Sequence, residues 1–265
     1  MKTNYSGKRN MLAALFMAFL MVFGTITVIS VPTDAASKGK LVKTVKIYTR
    51  SGKKWKSSGT LKYTYNSQKD PVKIVRKSPG YSAYTEQYTY TYQAGKKTGM
   101  KMGGEYPVEV TYDSTGRRIQ EKGQYYTHKI TYDTKNKNLI KTIVNEADGT
   151  VPTTTTFQYK YYKNKQPLIF KSTGDMSNSS AFNKKGFATN FRSYNVAEGN
   201  QLCKYTYDKK GNVKSVIVSE IYGKKSYDRK YVFSYYNKKI PIVRYRSMIN
   251  EILTGSAQAC GTFWY

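Results

Sequence analysis

The chain has 265 residues, 45 Lys and Arg against 16 Asp and Glu, and a formal charge of +29 on a sequence with 27 tyrosines but one histidine. That imbalance exceeds the net charge of about 2 to 8 with which small domains stay soluble, and it gives a long-range, salt-sensitive attraction for polyanions. The single histidine, His128, excludes a histidine metal cluster and leaves any serine or cysteine triad to be built around that one residue.

Residues 1–36 read as an export signal and stand outside the fold. Lys2, Lys8 and Arg9 form a basic start, Met11 to Phe23 an apolar core, and Thr33-Asp34-Ala35-Ala36-Ser37 a small-residue cleavage site behind the helix breaker Pro32. Apolar character runs on weakly to Ile29, long enough to span a bilayer if the segment is retained. Cleavage takes three cations and Asp34 with it and leaves +27 on residues 37–265, which read as a single domain of secreted or cell-envelope location. Outside the cell the available polyanions are wall teichoic acid, acidic glycans, anionic membrane surfaces and extracellular DNA.

From residue 63 onward a short pattern recurs: an aromatic or β-branched residue, a second aromatic two positions later, a polar turn, then a β-branched run. The copies are Tyr63/Tyr65, Tyr90/Tyr92, Val110/Tyr112, Ile130/Tyr132, Tyr159/Tyr161, Tyr205/Tyr207 and Phe233/Tyr235, with a degenerate copy at Phe182. A fixed period of this length marks an array of one supersecondary unit. Period-two alternation in Lys129-Ile130-Thr131-Tyr132 and Lys204-Tyr205-Thr206-Tyr207 makes each unit a strand with one aromatic face, and turns such as Asp208-Lys209-Lys210-Gly211-Asn212 lead into a second strand. Pro71, Pro167 and Pro241 each stand six residues after their anchor, the offset at which Val213 follows Tyr207, so each is expected to open a second strand. The fold class is therefore all-β: an antiparallel meander of repeated hairpins, either an elongated curved sheet or a partly closed barrel. Buried tyrosine needs a partner for its hydroxyl, so many of these oxygens are expected at sheet margins in water.

Basic pairs follow the anchors: Lys96-Lys97, Arg117-Arg118, Lys184-Lys185, Lys209-Lys210 and Lys238-Lys239, with Lys135-Asn136-Lys137 and Lys163-Asn164-Lys165 as interleaved versions. Stacked turns would align these ten paired side chains as a basic rim along the protein, the candidate ligand-binding residues for a linear polyanion. The competing reading is that lysines solvate turns and protect edges.

Three further stretches matter. Residues 172–201 are rich in Ser, Asn and Gly and read as an irregular segment, a binding loop or a decayed repeat. Ser247 to Leu253 is the one short helical stretch. Cys203 and Cys260 are candidates for a single disulfide, the alternative being two buried thiols. Catalytic patterns are sparse: Glu105, Glu109, Asp175 and Glu220 are formal candidates for a glycan-cleaving carboxylate pair but nothing pairs them, and the sequence holds neither a calcium-loop ligand series nor a phosphate-cradling glycine loop. No catalytic residue, metal or cofactor is assigned.

The units Val110-Thr111-Tyr112-Asp113, Ile130-Thr131-Tyr132-Asp133 and Tyr205-Thr206-Tyr207-Asp208-Lys209-Lys210-Gly211-Asn212 resemble the tyrosine-aspartate (YD, RHS-like) repeats of bacterial cell-surface and secreted proteins. That resemblance implies β-sheet built from hairpins and roles in surface adhesion or carbohydrate contact. The function expected from the residues is a secreted, non-catalytic β-repeat protein that binds anionic envelope or extracellular polymers at its basic rim. A structural or protein-interaction module with incidental charge is the alternative, and a carboxylate-dependent glycan hydrolase a more distant one.

Overall fold

A computed structural model describes residues 38–103, 107–134, 140–161, 163, 167–173, 178–193, 200–222 and 225–254. Residues 1–36, read above as an export signal, lie outside them. The chain forms β1 (Lys38–Ser51), β2 (Lys54–Tyr65), β3 (Pro71–Lys77), β4 (Tyr84–Gln93), β5 (Lys96–Gly103), β6 (Val108–Tyr112), β7 (Arg118–Lys122) and β8 (Tyr126–Tyr132). It continues through β9 (Ile140–Ala147), β10 (Thr153–Tyr161), β11 (Pro167–Thr173), β12 (Asn178–Phe182), β13 (Ala188–Ser193), β14 (Asn200–Tyr207), β15 (Val213–Tyr222) and β16 (Lys225–Pro241). A helix, α1 (Ile242–Thr254), follows directly.

Every strand pairs antiparallel with its sequence neighbours, and β1 pairs with β16, so the meander closes into a barrel. Of the two architectures open to the sequence, closure is the one adopted. It removes both sheet edges that an open array of hairpins would expose. The interval 172–201 is sheet rather than loop where it is described, holding β12 and β13 around the Phe182 copy.

Alternation sorts the side chains. On β4, Thr85, Gln87, Thr89 and Thr91 face water while Glu86 and Tyr88 are buried, and on β10 Thr154, Thr156, Gln158 and Lys160 face out while Thr155 and Phe157 are buried. The outer wall is thus dominated by threonine, lysine and glutamine, the inverse of a lipid-facing barrel, whose outward positions form an apolar band.

The inner face carries two apolar clusters. One joins Leu41, Val42, Tyr63, Ile74, Val213 and Phe233 to α1, and the other gathers Ile130, Ile140, Ile143, Phe157 and Phe182 on the far side. Helix α1 buries Tyr245, Met248, Ile249, Ile252 and Leu253. The sequence showed only its second half, because Pro241, Arg244 and Arg246 obscure the apolar spacing before Ser247. Pro241 does not open a strand as expected but ends β16, opposite Lys38 of β1, and leads into the helix. Tyr245 lies so close to Gly39 that a Cβ there would sit 2.2 Å from the ring carbon Cγ, so the first turn of α1 packs directly on the β1 backbone.

Some tyrosines, such as Tyr81, Tyr125 and Tyr227, are exposed, but five hydroxyls end on backbone carbonyls and not in water. Tyr90 donates to the carbonyl of Pro71 at 2.8 Å, Tyr132 to Arg118 at 2.6 Å, Tyr159 to Ile140 at 3.1 Å, Tyr205 to Ala188 at 2.5 Å and Tyr235 to Val213 at 2.5 Å. Each acceptor opens the second strand of the preceding hairpin, beside a register shift in the ladder. Such bulges disturb backbone pairing, and the next hairpin's tyrosine supplies a donor at that point.

Candidate anion-binding rim

Even-numbered strands all end at one mouth of the barrel, and one turn geometry recurs there. Asp113, Asn183 and Asp208 each accept the amide of the residue three on: Gly116 N to Asp113 O is 2.9 Å, Gly186 N to Asn183 O 2.8 Å and Gly211 N to Asp208 O 3.0 Å. Their side-chain oxygens also accept amides two and four residues ahead, as Lys210 N at 2.9 Å and Asn212 N at 2.8 Å on Asp208. The glycine takes a left-handed φ of 84°, 78° and 82° in the three turns. The Phe182 copy therefore keeps the full turn, with asparagine replacing aspartate as the side-chain acceptor. These turns hold Lys184, Lys185, Lys209 and Lys210 outward and exposed.

The ten predicted rim residues divide by face. Lys96, Lys184, Lys185, Lys209, Lys210, Lys238 and Lys239 are exposed. Lys238 and Lys239 are strand residues of β16 rather than turn residues, Lys239 standing opposite Lys40. Arg117 is half-buried, with Nη2 2.7 Å from Asp113 Oδ2 and its guanidinium 4.7 Å over the Tyr132 ring. Lys97 and Arg118 must be removed from the rim. They stand opposite Tyr92 and Tyr112 in the ladder, share the anchors' inward face, and are buried at 4% and 1% exposure. Of the interleaved pairs, Lys163 is exposed, and Lys135, Lys137 and Lys165 lie outside the described residues.

Because the sheet closes, the rim is a ring and not a linear edge. Among the described residues Lys96 and Lys163 stand elsewhere on it, while six of its exposed lysines share one arc: Lys184 and Lys185 before β13, Lys209 and Lys210 before β15, Lys238 and Lys239 at the end of β16. These stations are two strands apart, roughly 10 Å. Lys185 Nζ sits 3.8 Å from the Tyr207 ring centroid, pinned on the aromatic face. Asp208, adjacent in sequence to Lys209, is engaged by backbone amides and by Asn212 Nδ2 at 2.9 Å.

Helix α1 blocks the mouth that this ring surrounds. Arg244 reaches Asp70 Oδ1 at 3.0 Å and the Lys69 carbonyl in the β2–β3 turn, Tyr245 accepts the Val213 amide at 2.6 Å, and Asn250 accepts the Ala188 amide at 3.0 Å. Beneath the helix, Lys97 Nζ lies 3.3 Å from Asp70 and over the rings of Tyr90 and Tyr112. Burial pushes the Lys97 ammonium down to about 7 despite the Asp70 charge. Burial also pushes the Glu251 carboxyl on α1 up to about 8, against the opposing pull of Arg118 and a hydrogen bond from Ser247.

The other sequence candidates are dispersed. Glu109 on β6 is exposed and 2.5 Å from Lys101, Glu220 on β15 is 2.9 Å from Arg229, and Glu105 and Asp175 lie outside the described residues. His128 is a buried strand residue whose Nδ1 is 3.6 Å from Glu121, itself held by Arg118 at 3.0 Å and Tyr126 at 3.0 Å. Among the described residues no group of three His, Cys, Asp or Glu could hold a metal ion. Cys203 is buried on the inner face of β14, and Cys260 lies outside the described residues. Asp70 and Arg244 were missed by sequence reading. Arg244 follows Pro241 by three residues, a signal for a cationic first turn of a helix, but its partner lies most of the chain away.

In sequence, neither a family model nor a curated protein matches this chain. In structure, a porin-like protein from Bacteroides uniformis superposes with a TM-score of 0.52 at 13% identity, covering 74% of this chain and 96% of that one. A porin-like protein from Bacteroides vulgatus gives 0.34 at 12% identity over 76% and 100% of the two chains. A chain of a TcdB2-TccC3-Cdc42 crystal structure gives 0.29 at 13% identity, over 64% of this chain and 10% of that one. The first of these supports the barrel architecture.

Proposed function

We propose that this protein is a non-catalytic barrel of the cell envelope or extracellular space that binds an anionic polymer, such as wall teichoic acid or an acidic glycan, on the lysine arc around its closed mouth. The observation that carries this reading is the arc itself. Lys184, Lys185, Lys209, Lys210, Lys238 and Lys239 are exposed on three adjacent stations and take part in no salt bridge among the described residues. Solubility alone does not require like charges to be grouped on one rim. The polar outer wall favours a barrel that sits in water next to its ligand over one that spans a bilayer.

The test is binding of residues 37–265 to teichoic acid, acidic glycans, anionic liposomes and DNA across a salt series, beside a variant with Lys209, Lys210, Lys238 and Lys239 changed to Gln. The expected result is selective binding to one polyanion at near-physiological salt, with a shallower salt slope and weaker affinity in the folded variant. Equal binding by the variant, or equal attraction to every polyanion that vanishes as salt rises, defeats the reading.

A further inference from the structure

The outer wall of the barrel is charged unevenly. On one side outward lysines find carboxylates, Lys101 on Glu109 at 2.5 Å and Lys129 on Glu146 at 2.6 Å. The six strands around the closure, in the order β14, β15, β16, β1, β2 and β3, hold only two carboxylates. Glu220 is buried and faces inward, while Asp228 faces outward and is held by Arg50 Nη1 at 2.9 Å and the Ser219 hydroxyl at 2.7 Å.

The ladder register sets four lysines of this wall in a line. Lys73 on β3 stands opposite Thr64, two residues beyond Lys62 on β2. Lys62 stands opposite Thr44, two residues before Lys46 on β1, and Lys46 stands opposite Val232, two residues beyond Lys230 on β16. Each step crosses one strand and moves one same-face position along it, so the four form a diagonal with neighbours roughly 7–8 Å apart. Lys73, Lys62 and Lys46 are exposed and Lys230 half-buried, and none takes part in a salt bridge among the described residues. Two half-buried aromatic rings close the line. Tyr48 stands opposite Lys230, Trp55 stands opposite Arg50 one same-face position further, and Lys230 Nζ is 6.0 Å from the Trp55 ring centroid.

Edge protection does not account for this diagonal, because a closed barrel has no edge to protect. The ammonium groups only donate, and the one outward carboxylate of the wall is already engaged, so the line suits a chain whose charged groups only accept. A phosphodiester backbone is such a chain, and a nucleobase adds the flat face that tryptophan and tyrosine stack on without reading its edges. We propose that this wall binds a single-stranded polynucleotide, with phosphates along the Lys73, Lys62, Lys46 and Lys230 diagonal and bases against Trp55 and Tyr48. The site stands on the side of the barrel, separate from the lysine arc at the closed mouth, and does not depend on what that arc binds.

The experiment compares oligothymidylate with an abasic oligomer of equal length and charge, across a salt series. Residues 37–265 carrying Trp264→Phe keep Trp55 as their one tryptophan, so its emission reports stacking directly. The expected result is quenching of Trp55 by oligothymidylate and binding at least tenfold tighter than that of the abasic oligomer. Trp55→Ala, followed by anisotropy of labelled oligomers, removes the difference between the two and leaves the abasic affinity in place. Lys46→Gln with Lys62→Gln weakens both and flattens the salt slope. The Lys-to-Gln rim variant retains the preference for bases, which separates this proposal from the polyanion reading of the arc. Wild-type thermal unfolding certifies the fold of each variant, and Trp55→Leu replaces Trp55→Ala if that variant is unstable. Equal affinity of wild type for the two oligomers, a preference that survives in folded Trp55 variants, or loss of the preference in the rim variant overturns the proposal. Trp55-dependent binding to phosphatidylglycerol vesicles without any preference between the oligomers also overturns it and assigns the wall to a membrane surface.

Discussion

The Tyr90 hydroxyl donates to the Pro71 carbonyl at 2.8 Å, and equivalent bonds reach the second-strand openers Arg118, Ile140, Ala188 and Val213. This explains why the repeat uses tyrosine where leucine or phenylalanine would bury more simply. Each ring fills the interior, and each hydroxyl supplies a donor to backbone next to a bulge.

Tyr90→Phe keeps the ring and removes only that donor from a largely enclosed site. We expect a loss of about 1–2 kcal/mol in unfolding free energy, the cost of leaving a buried carbonyl without this bond. Denaturant unfolding with an unchanged m-value measures it. A variant as stable as wild type would show that the hydroxyl contributes only bulk.

Much of this architecture was legible from the repeat. The second-strand openers Pro71, Pro167 and Val213 stand where the six-residue offset from their anchors puts them. The same offset carried information that the basic-pair reading overlooked. Arg118 stands six residues after Tyr112 and Lys97 five after Tyr92, so both are the anchors' ladder partners and share their inward face. Proline, alanine and valine at the equivalent position signalled burial, and a cation there should have been read as buried and paired. Closure was not legible. It depends on β1 meeting β16, as in Val45 opposite Phe233, and neither strand carries a mark that distinguishes a partnered edge from a free one. The plug was hidden for a related reason: Arg244 and Asp70 acquire meaning only when the two ends of the sheet come together.

The β2–β3 turn departs from its relatives at one residue. Lys69 holds a φ of 68°, in the left-handed region that Gly116, Gly186 and Gly211 occupy in the other turns. A side chain there costs roughly 1–2 kcal/mol, partly offset in glycine by its larger unfolded-state entropy. Lys69→Gly is expected to stabilise the barrel by about 0.5–1 kcal/mol, even though it gives up the exposed Lys69 Nζ bond to the Lys239 carbonyl at 2.9 Å. Thermal unfolding checks this, and a lowered midpoint would mean that the Lys69–Lys239 bond outweighs the backbone strain.

Two ionisable groups, Glu251 on α1 and Lys97 beneath it, give opposite pH dependences. Burial raises the Glu251 carboxyl to about 8 from an unfolded value near 4.5, so its penalty is absent below about pH 4.5 and complete above about pH 8. Burial lowers the Lys97 ammonium to about 7 from 10.5, so its penalty is complete below about pH 7 and absent above about 10.5. Glu251→Gln should therefore gain stability over wild type progressively between pH 4.5 and 8, with the two curves running parallel above that. Lys97→Met should show its advantage at neutral and acid pH and lose it between 7 and 10.5, because Arg244 remains to hold Asp70. Urea unfolding at intervals from pH 4 to 10.5 separates them. If both variants track wild type with constant offsets, these groups titrate in the barrel as they do in the unfolded chain, and the closed mouth admits enough water to solvate them.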